Sequence, residues 1–296
     1  MNPTMTASLR SALKAVFHAF LGAIPDEWAI QAMYFRRFGR FANLSRPQTL
    51  NEKINWRKLH QRDPRFTLFT DKVAVKEEVA RLLGKDHIIP TLWSGERPED
   101  IPFGELEPPY VIKVNHGVGK HTFVRHPEDV DKGAIISALN ERLKHSYGRA
   151  TRQWAYDDIK GKILIERLLD IFEDDAPEDY KFFVYHGRAH FIQVELGRFG
   201  KHRTSFYDRA WNKLPMTTAS PDIDRPLLKP PYLDELIVAA EKIGSIFDFV
   251  SVDLYYAENK VYFGETTFYP GAGYSKKNPS VWDYKMGEPW ILPRNP

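Results

Sequence analysis

The chain has 296 residues, of which 43% are hydrophobic and 14% aromatic, a globular composition long enough for a large core and unlike that of a disordered segment. Its 42 basic and 39 acidic side chains leave a formal charge of +3, too small an excess for non-specific nucleic-acid binding, although a local basic face stays open. There is no cysteine, which removes disulfides, thiolate nucleophiles and cysteine–zinc sites and agrees with a cytoplasmic location.

Residues 1–45 read as helical and basic, with Arg36, Arg37, Arg40 and Arg46 at their end. Within them, residues 8–24 place Leu9, Leu13, Val16, Phe17, Phe20 and Leu21 on one helical face. Lys14 and His18 interrupt this run, which falls short of the roughly 20 apolar residues of a membrane span. It reads either as a helix packed on its own domain or as a peripheral contact with a membrane or an assembly complex. A polar segment, LNEKINWRKL, occupies residues 50–59. Thr70 and Asp71 then open a predicted helix that runs through Leu83 and closes at Gly84. A short strand is expected at residues 87–92, followed by a proline-rich connection at 97–109.

From Tyr110 the pattern is clearer. Residues 110–114 predict a strand, 115–120 (NHGVGK) a glycine-containing loop, and 122–125 a returning strand. Residues 128–147 have helical period, and 162–169 are strand-like. Two hairpins follow. Residues 180–185 and 189–196 flank a turn at His186 and Gly187, and residues 249–256 and 261–268 flank a three-residue turn at 258–260. A helix at 233–247 lies between them, so strands and helices mix as in an α+β fold.

Asp253 and Glu265 would stand opposite each other in the second hairpin, with Thr267 on the face of Glu265. Facing carboxylates repel unless a cation lies between them, and a hard cation such as Mg²⁺ takes oxygen ligands of this kind. The plain alternative is two exposed strand carboxylates. Lys113, ending a strand before a glycine loop, can set an ammonium and backbone N–H groups around phosphate oxygens, or the loop is an ordinary hairpin turn. Neither GxxxxGK[ST] nor a helix-opening GxGxxG is present, and no GxSxG supports a nucleophilic serine. Lys72, Glu166 and Lys181 each read, in isolation, as surface or cross-strand residues.

Their order is more specific than any one of them. Asp71-Lys72, Lys113 before its loop, Glu166 on a strand, then Asp253 and Glu265, resembles the ATP-grasp superfamily. The segments at 50–59, 111–119 (VIKVNHGVG), 179–183 (DYKFF), 206–211 (FYDRAW) and 252–273 (VDLYYAENKVYFGETTFYPGAG), with Trp282-Asp283 and Leu292-Pro293, are similar to the TupA-like ATP-grasp family. That family is linked with teichuronopeptide and other surface-polysaccharide biosynthesis. The resemblance implies an ATP-grasp fold, two α+β subdomains clasping ATP, with a reduced and mainly helical N-terminal region. It divides the chain into residues 1–70 and an ATP-grasp domain at 71–293, with a lid at about 110–165.

By the same resemblance, Lys72 and Lys113 would bind the triphosphate, Gly117 and Gly119 would let the loop close, and Glu166 would meet adenine. Lys181 would face the nucleotide, Asp253, Glu265 and Thr267 would hold Mg²⁺, and Arg198 would stabilise the transferring phosphate. The implied enzyme is an ATP- and Mg²⁺-dependent carboxylate–amine ligase working through an acyl phosphate on a sugar-borne or small-molecule carboxylate. The alternatives are a kinase or other transferase of polysaccharide biosynthesis, and a non-catalytic nucleotide- or glycan-binding module. Two departures stand out. Thr267 occupies a position where better-known ligases carry Asn, and residues 1–70 are too short and too helical for the usual Rossmann-like substrate domain.

Overall fold

Strands form in this chain where β-branched and aromatic residues alternate between turn signals, and the computed structural model assembles them into two antiparallel sheets. It describes residues 23–117, 121–144, 147–169, 179–197 and 202–293. The amphipathic segment at 8–24 lies almost wholly outside these residues.

The first described helix, α1 (Asp26–Phe38), ends at Gly39 in the left-handed conformation. Residues 50–59, read as a polar segment, are a helix: α2 (Leu50–His60) begins with a capping box between Thr49 and Glu52. Eight of its eleven residues are buried, including Asn51, Glu52, Asn55, Arg57 and Lys58. Such burial is tolerable only because the polar groups find partners, Glu52 nearby at Arg40 and Thr49 and the others far along the chain. Lys53 donates to the carbonyls of Gly287 and Trp290 (2.9 and 2.6 Å), and Arg57 to that of Phe249 (2.8 Å) while pairing with Asp248.

A short helix α3 (Pro64–Thr70) follows, then α4 (Val75–Leu83). The helix expected from residue 70 therefore starts at Val75, because the Asp71 carboxylate accepts the N–H groups of Val73 and Ala74 and spends the intervening residues in a turn. The strand expected at 87–92 is displaced to β1 (Thr91–Gly95), a single 3₁₀ turn taking Lys85–His87. Then come β2 (Tyr110–Val114), β3 (Thr122–Val124), α5 (Lys132–Leu143) and β4 (Ile163–Arg167). The start of α5 is fixed by Asp131, which accepts the Ala134 N–H. These strands form a four-stranded sheet in the order β1-β4-β2-β3 over a core of Ile112, Val124, Leu139, Ile163 and Ile165.

The second sheet contains β5 (Asp179–Tyr185), β6 (Arg188–Leu196), β7 (Arg203–Asp208), β8 (Phe249–Ala257) and β9 (Lys260–Thr267), in the order β7-β6-β5-β8-β9. Helix α6 (Leu233–Gly244) packs across it, and α7 (Val281–Gly287) closes the described chain against α2. Its core holds Phe182, Val184, Ile192, Val252, Leu254 and the buried face of α6. Together the elements make an α+β fold.

The β8–β9 hairpin differs instructively from expectation. Its turn has two residues, Glu258 and Asn259, both at positive φ (53° and 58°), as a type I′ turn requires. With that turn alone, Asp253 would face Gly264. A bulge between Asp253 and Leu254 restores the offset, and Asp253 pairs with Glu265. Gly264 is the extra residue. A Cβ there would come within 2.8 Å of the Tyr255 ring and 3.0 Å of the Asp253 carbonyl oxygen.

Candidate active site

Strand register builds the first half of the site. Phe206 pairs with Gln193, Gln193 with Lys181, Lys181 with Asp253, and Asp253 with Glu265, one row across all five strands. Side chains directly opposite share a face, so an ammonium lies in a line with two carboxylates. Lys181 pairs with Asp253, which is 1% exposed. Burial pushes the Asp253 carboxyl up from its ordinary value and Asp179 and Glu265 add to this, with Lys181 opposing. Burial would lower the Lys181 ammonium, but Asp253, Asp179, Glu265 and Glu195 outweigh it and raise its pKa.

The Oδ1 atom of Asp253 is buried without a hydrogen-bond partner. An orphaned carboxylate oxygen facing a second carboxylate is an arrangement that a hard cation satisfies, so the residues fit Mg²⁺. Thr267, two residues after Glu265, pairs with Ser251 and lines the same cleft as Glu265. Among the described residues no cluster of three or more His, Cys, Asp or Glu side chains forms a cation cage. Mg²⁺ is commonly held by one or two carboxylates together with substrate phosphates.

The second half comes from the smaller sheet. Glu166 on β4 lies between two ammonium groups, Lys113 on β2 (2.7 Å) and Lys76 on α4 (2.5 Å), with its side chain 5% exposed. Burial alone would raise the Glu166 carboxyl, yet Lys113 and Lys76 hold it below the usual range. Lys76 also donates to the Ile89 carbonyl and the Thr91 hydroxyl (2.9 and 2.6 Å). Burial lowers its pKa, Glu166 partly restoring it.

Lys72 joins the halves. Its ammonium lies 2.9 Å from Glu265 Oε2 and donates to the Gly117 carbonyl at 2.8 Å. The base of the glycine loop is latched by Asn115, whose amide donates to Asp71 and to the Lys160 carbonyl (both 3.0 Å) and accepts the Lys162 N–H (2.7 Å). Lys72, Lys113, Gly117, Glu166, Lys181, Asp253, Glu265 and Thr267 thus belong to two linked clusters. Gly119 and Arg198 lie outside the described residues.

Several polar members escape a sequence reading. Lys76 lies four residues after Lys72, a spacing that the helix expected from residue 70 would have put on one face. Gln193 follows from hairpin register once Lys181 is chosen. Asp179 and Glu195, paired across β5 and β6, join the field around Lys181. Among Trp154, Tyr207, Trp211, Tyr269, Tyr274 and Trp282, aromatics clustered in the second half of the chain, Tyr269 alone lines the cleft beside Lys181 and Glu265. Tyr207 and Trp211 stack on each other (4.3 Å), Trp154 lies against Phe66 (5.9 Å), Tyr274 covers Lys58, and Trp282 carries Lys285. The cleft instead presents Tyr147, Tyr156, Phe183 and Phe206.

That cleft, about 410 Å³, has the sheet row as its floor and residues 269–277 as a wall. Helix α2 holds the wall in place. Lys58 donates to the Ala272 carbonyl (2.7 Å), Asn55 to that of Gly273 (2.9 Å), and Asn51 to that of Ser275 (2.8 Å). Asn51, Asn55 and Lys58 are spaced to share one helical face. At Gly273, with φ of 70°, a Cβ would stand 2.7 Å from the Asn55 amide nitrogen.

The sequence profile of the TupA-like ATP-grasp family matches residues 52–291. The chain belongs to this family. Its backbone is similar to solved structures at low identity. D-alanine–D-alanine ligase from Bacillus anthracis is 15% identical, with 68% of this chain and 57% of that one covered and a TM-score of 0.41. D-alanine–D-alanine ligase from Helicobacter pylori is 17% identical over 77% and 60%, with a TM-score of 0.43. L-amino acid ligase from Bacillus licheniformis is 12% identical over 84% and 56%, also with a TM-score of 0.43. The chain thus spans somewhat more than half the length of these structures. No curated protein matches it in sequence.

Proposed function

We propose that this member of the TupA-like ATP-grasp family is an ATP- and Mg²⁺-dependent carboxylate–amine ligase, acting on a sugar-borne or other small-molecule carboxylate. The observation that carries the reading is the Lys181–Asp253–Glu265 row with its orphaned Asp253 oxygen, joined through Lys72 to the Lys113–Glu166–Lys76 cluster. In this reading residues at about 110–165 form the lid over the nucleotide within an ATP-grasp domain at 71–293, and α2 in the region before it supports the cleft wall.

A carboxylate is a poor electrophile at neutral pH. ATP with Mg²⁺, when bound, supplies the phosphoryl group that turns it into an acyl phosphate open to attack by an amine. The chain's own residues position and neutralise charge. Asp253, Glu265 and Thr267 hold the cation, and Lys181 faces the phosphoryl group. Lys72 and Lys113 leave their carboxylates for phosphate oxygens, Glu166 keeping Lys113 extended until then. Closure of the loop containing Gly117 and Gly119 excludes water, and Arg198 pairs with the transferring group. Lys72 is well suited to couple closure to binding, since it touches both the Gly117 carbonyl and Glu265. The aromatic lining of the cleft supports a ring-shaped substrate such as a uronic acid, and the family's link with surface-polysaccharide synthesis agrees with it. Among the described residues no helix is long and apolar enough to cross a membrane.

The test is calorimetric titration with the nonhydrolysable analogue AMP-PNP, with and without Mg²⁺. One site whose affinity depends on Mg²⁺, and which loses that dependence in Asp253→Asn, supports the assignment. Equal binding with and without the cation would overturn it.

A further inference from the structure

We infer that the substrate carries a second anionic group, carboxylate or phosphate, besides its reacting carboxylate, and that Lys277 in the cleft wall is the residue that pairs with it. This rests on the functional reading above and names the substrate class of the same cleft.

Two lysines line the cleft, Lys181 and Lys277. Lys181 is committed to Asp253. Among the described residues Lys277 has no carboxylate within ion-pair distance, and its ammonium donates only to the Ser275 carbonyl, at 3.2 Å. Burial lowers its pKa to about 8, with Asp283 opposing from farther off. A partly buried ammonium without an ion-pair partner gains more from an incoming anion than a fully solvated one does. Asp283, which accepts the Asn51 N–H at 3.2 Å, acts on Lys277 only through space and forms no ion pair with it.

The backbone that carries Lys277 is fixed on both sides. Asn51 makes reciprocal bonds to Ser275, its amide donating to the carbonyl (2.8 Å) and its oxygen accepting the N–H (3.1 Å). Asn278 exchanges two backbone bonds with Thr217, each 2.9 Å. The position is thus set before any ligand arrives, which reduces the ordering cost of binding. With the reacting carboxylate at the Lys181–Asp253–Glu265 row on the cleft floor, Lys277 on the wall is left for a second anionic group of the same substrate. The cleft volume lies within the range of small-molecule sites.

The experiment measures ADP and hydroxamate formation by the full-length protein with hydroxylamine as the amine. The probes are D-glucuronic acid, D-glucuronic acid 1-phosphate and the dicarboxylate galactaric acid. The expected result is a kcat/KM at least tenfold higher for one or both dianions than for glucuronic acid, and which dianion leads identifies the second group. In Lys277→Gln this ratio falls at least tenfold, and in Lys277→Arg it returns. A wild-type enzyme indifferent to the second charge overturns the inference, as does a ratio unchanged in Lys277→Gln. If none of the three acids supports ADP release while AMP-PNP binding depends on Mg²⁺, the substrate class and Lys277's role fail together and the nucleotide site stands.

Discussion

The Lys76–Glu166–Lys113 triad offers a quantitative test, because replacing both lysines by Met should reverse the sign of its pH dependence. In the wild type Glu166 is held below its ordinary pKa of 4.5. A depressed carboxyl contributes stability that is present above 4.5 and lost as pH falls through the folded value, so Glu166 is ionised and stabilising at both pH 5 and pH 7. In Lys76→Met/Lys113→Met only burial acts on it, and the folded pKa rises above 4.5. The group then costs stability as pH rises, by about 1.4 kcal/mol per unit until the new pKa is reached. Between pH 5 and pH 7 that difference is at most about 2.7 kcal/mol.

Leaving a buried charge unpaired costs about 3–5 kcal/mol. The hydrogen bonds from Lys76 to Ile89 and Thr91 contribute about 0.5–1.5 kcal/mol each, independent of pH. Urea unfolding followed by tryptophan fluorescence, with wild type subtracted at each pH, should therefore show a loss of about 4–8 kcal/mol at pH 7 and one about 2 kcal/mol smaller at pH 5. Adding Glu166→Gln should close the gap between the two pH values. An equal loss at both pH values would refute the argument that Glu166 is a buried anion held by its two lysines.

Other substitutions probe the remaining parts. Gly264→Val should lower stability by about 1–3 kcal/mol and weaken Mg²⁺-dependent AMP-PNP binding at least tenfold, because its side chain collides with Tyr255 and shifts Asp253 against Glu265. Urea unfolding and calorimetry read the two effects, and normal binding would mean that the bulge is dispensable. Lys58→Met keeps volume but leaves the Ala272 carbonyl and the Asn55 oxygen without their donor, so a loss of about 1–3 kcal/mol is expected in urea unfolding. Lys113→Ala should weaken AMP-PNP binding at least tenfold, and unchanged affinity would remove Lys113 from the phosphate site.

The sequence alone determined what depends on near neighbours. Alternation and turn residues place the β2–β3, β5–β6 and β8–β9 hairpins, and they set Asp253 opposite Glu265 because register propagates from a turn only a few residues away. Even there the offset arises from a two-residue turn plus a bulge at Gly264, which a three-residue turn mimics in count. The order of Lys72, Lys113, Glu166, Asp253 and Glu265 suggested the superfamily, and the segments around them, the longest at 252–273, were enough for the family.

Tertiary structure decided the rest. Residues 50–60 look solvent-facing by composition, yet they are buried because the side chains of Asn51, Asn55, Arg57 and Lys58 meet partners between 191 and 224 positions away. Glu166 acquires Lys76 from another element, and Lys277 reaches the cleft through a wall held by α2 and residue 217. Burying a charge is unfavourable until a counter-charge or donor is brought to it, and contacts of that sequence separation exist only once the two sheets and α2 have come together.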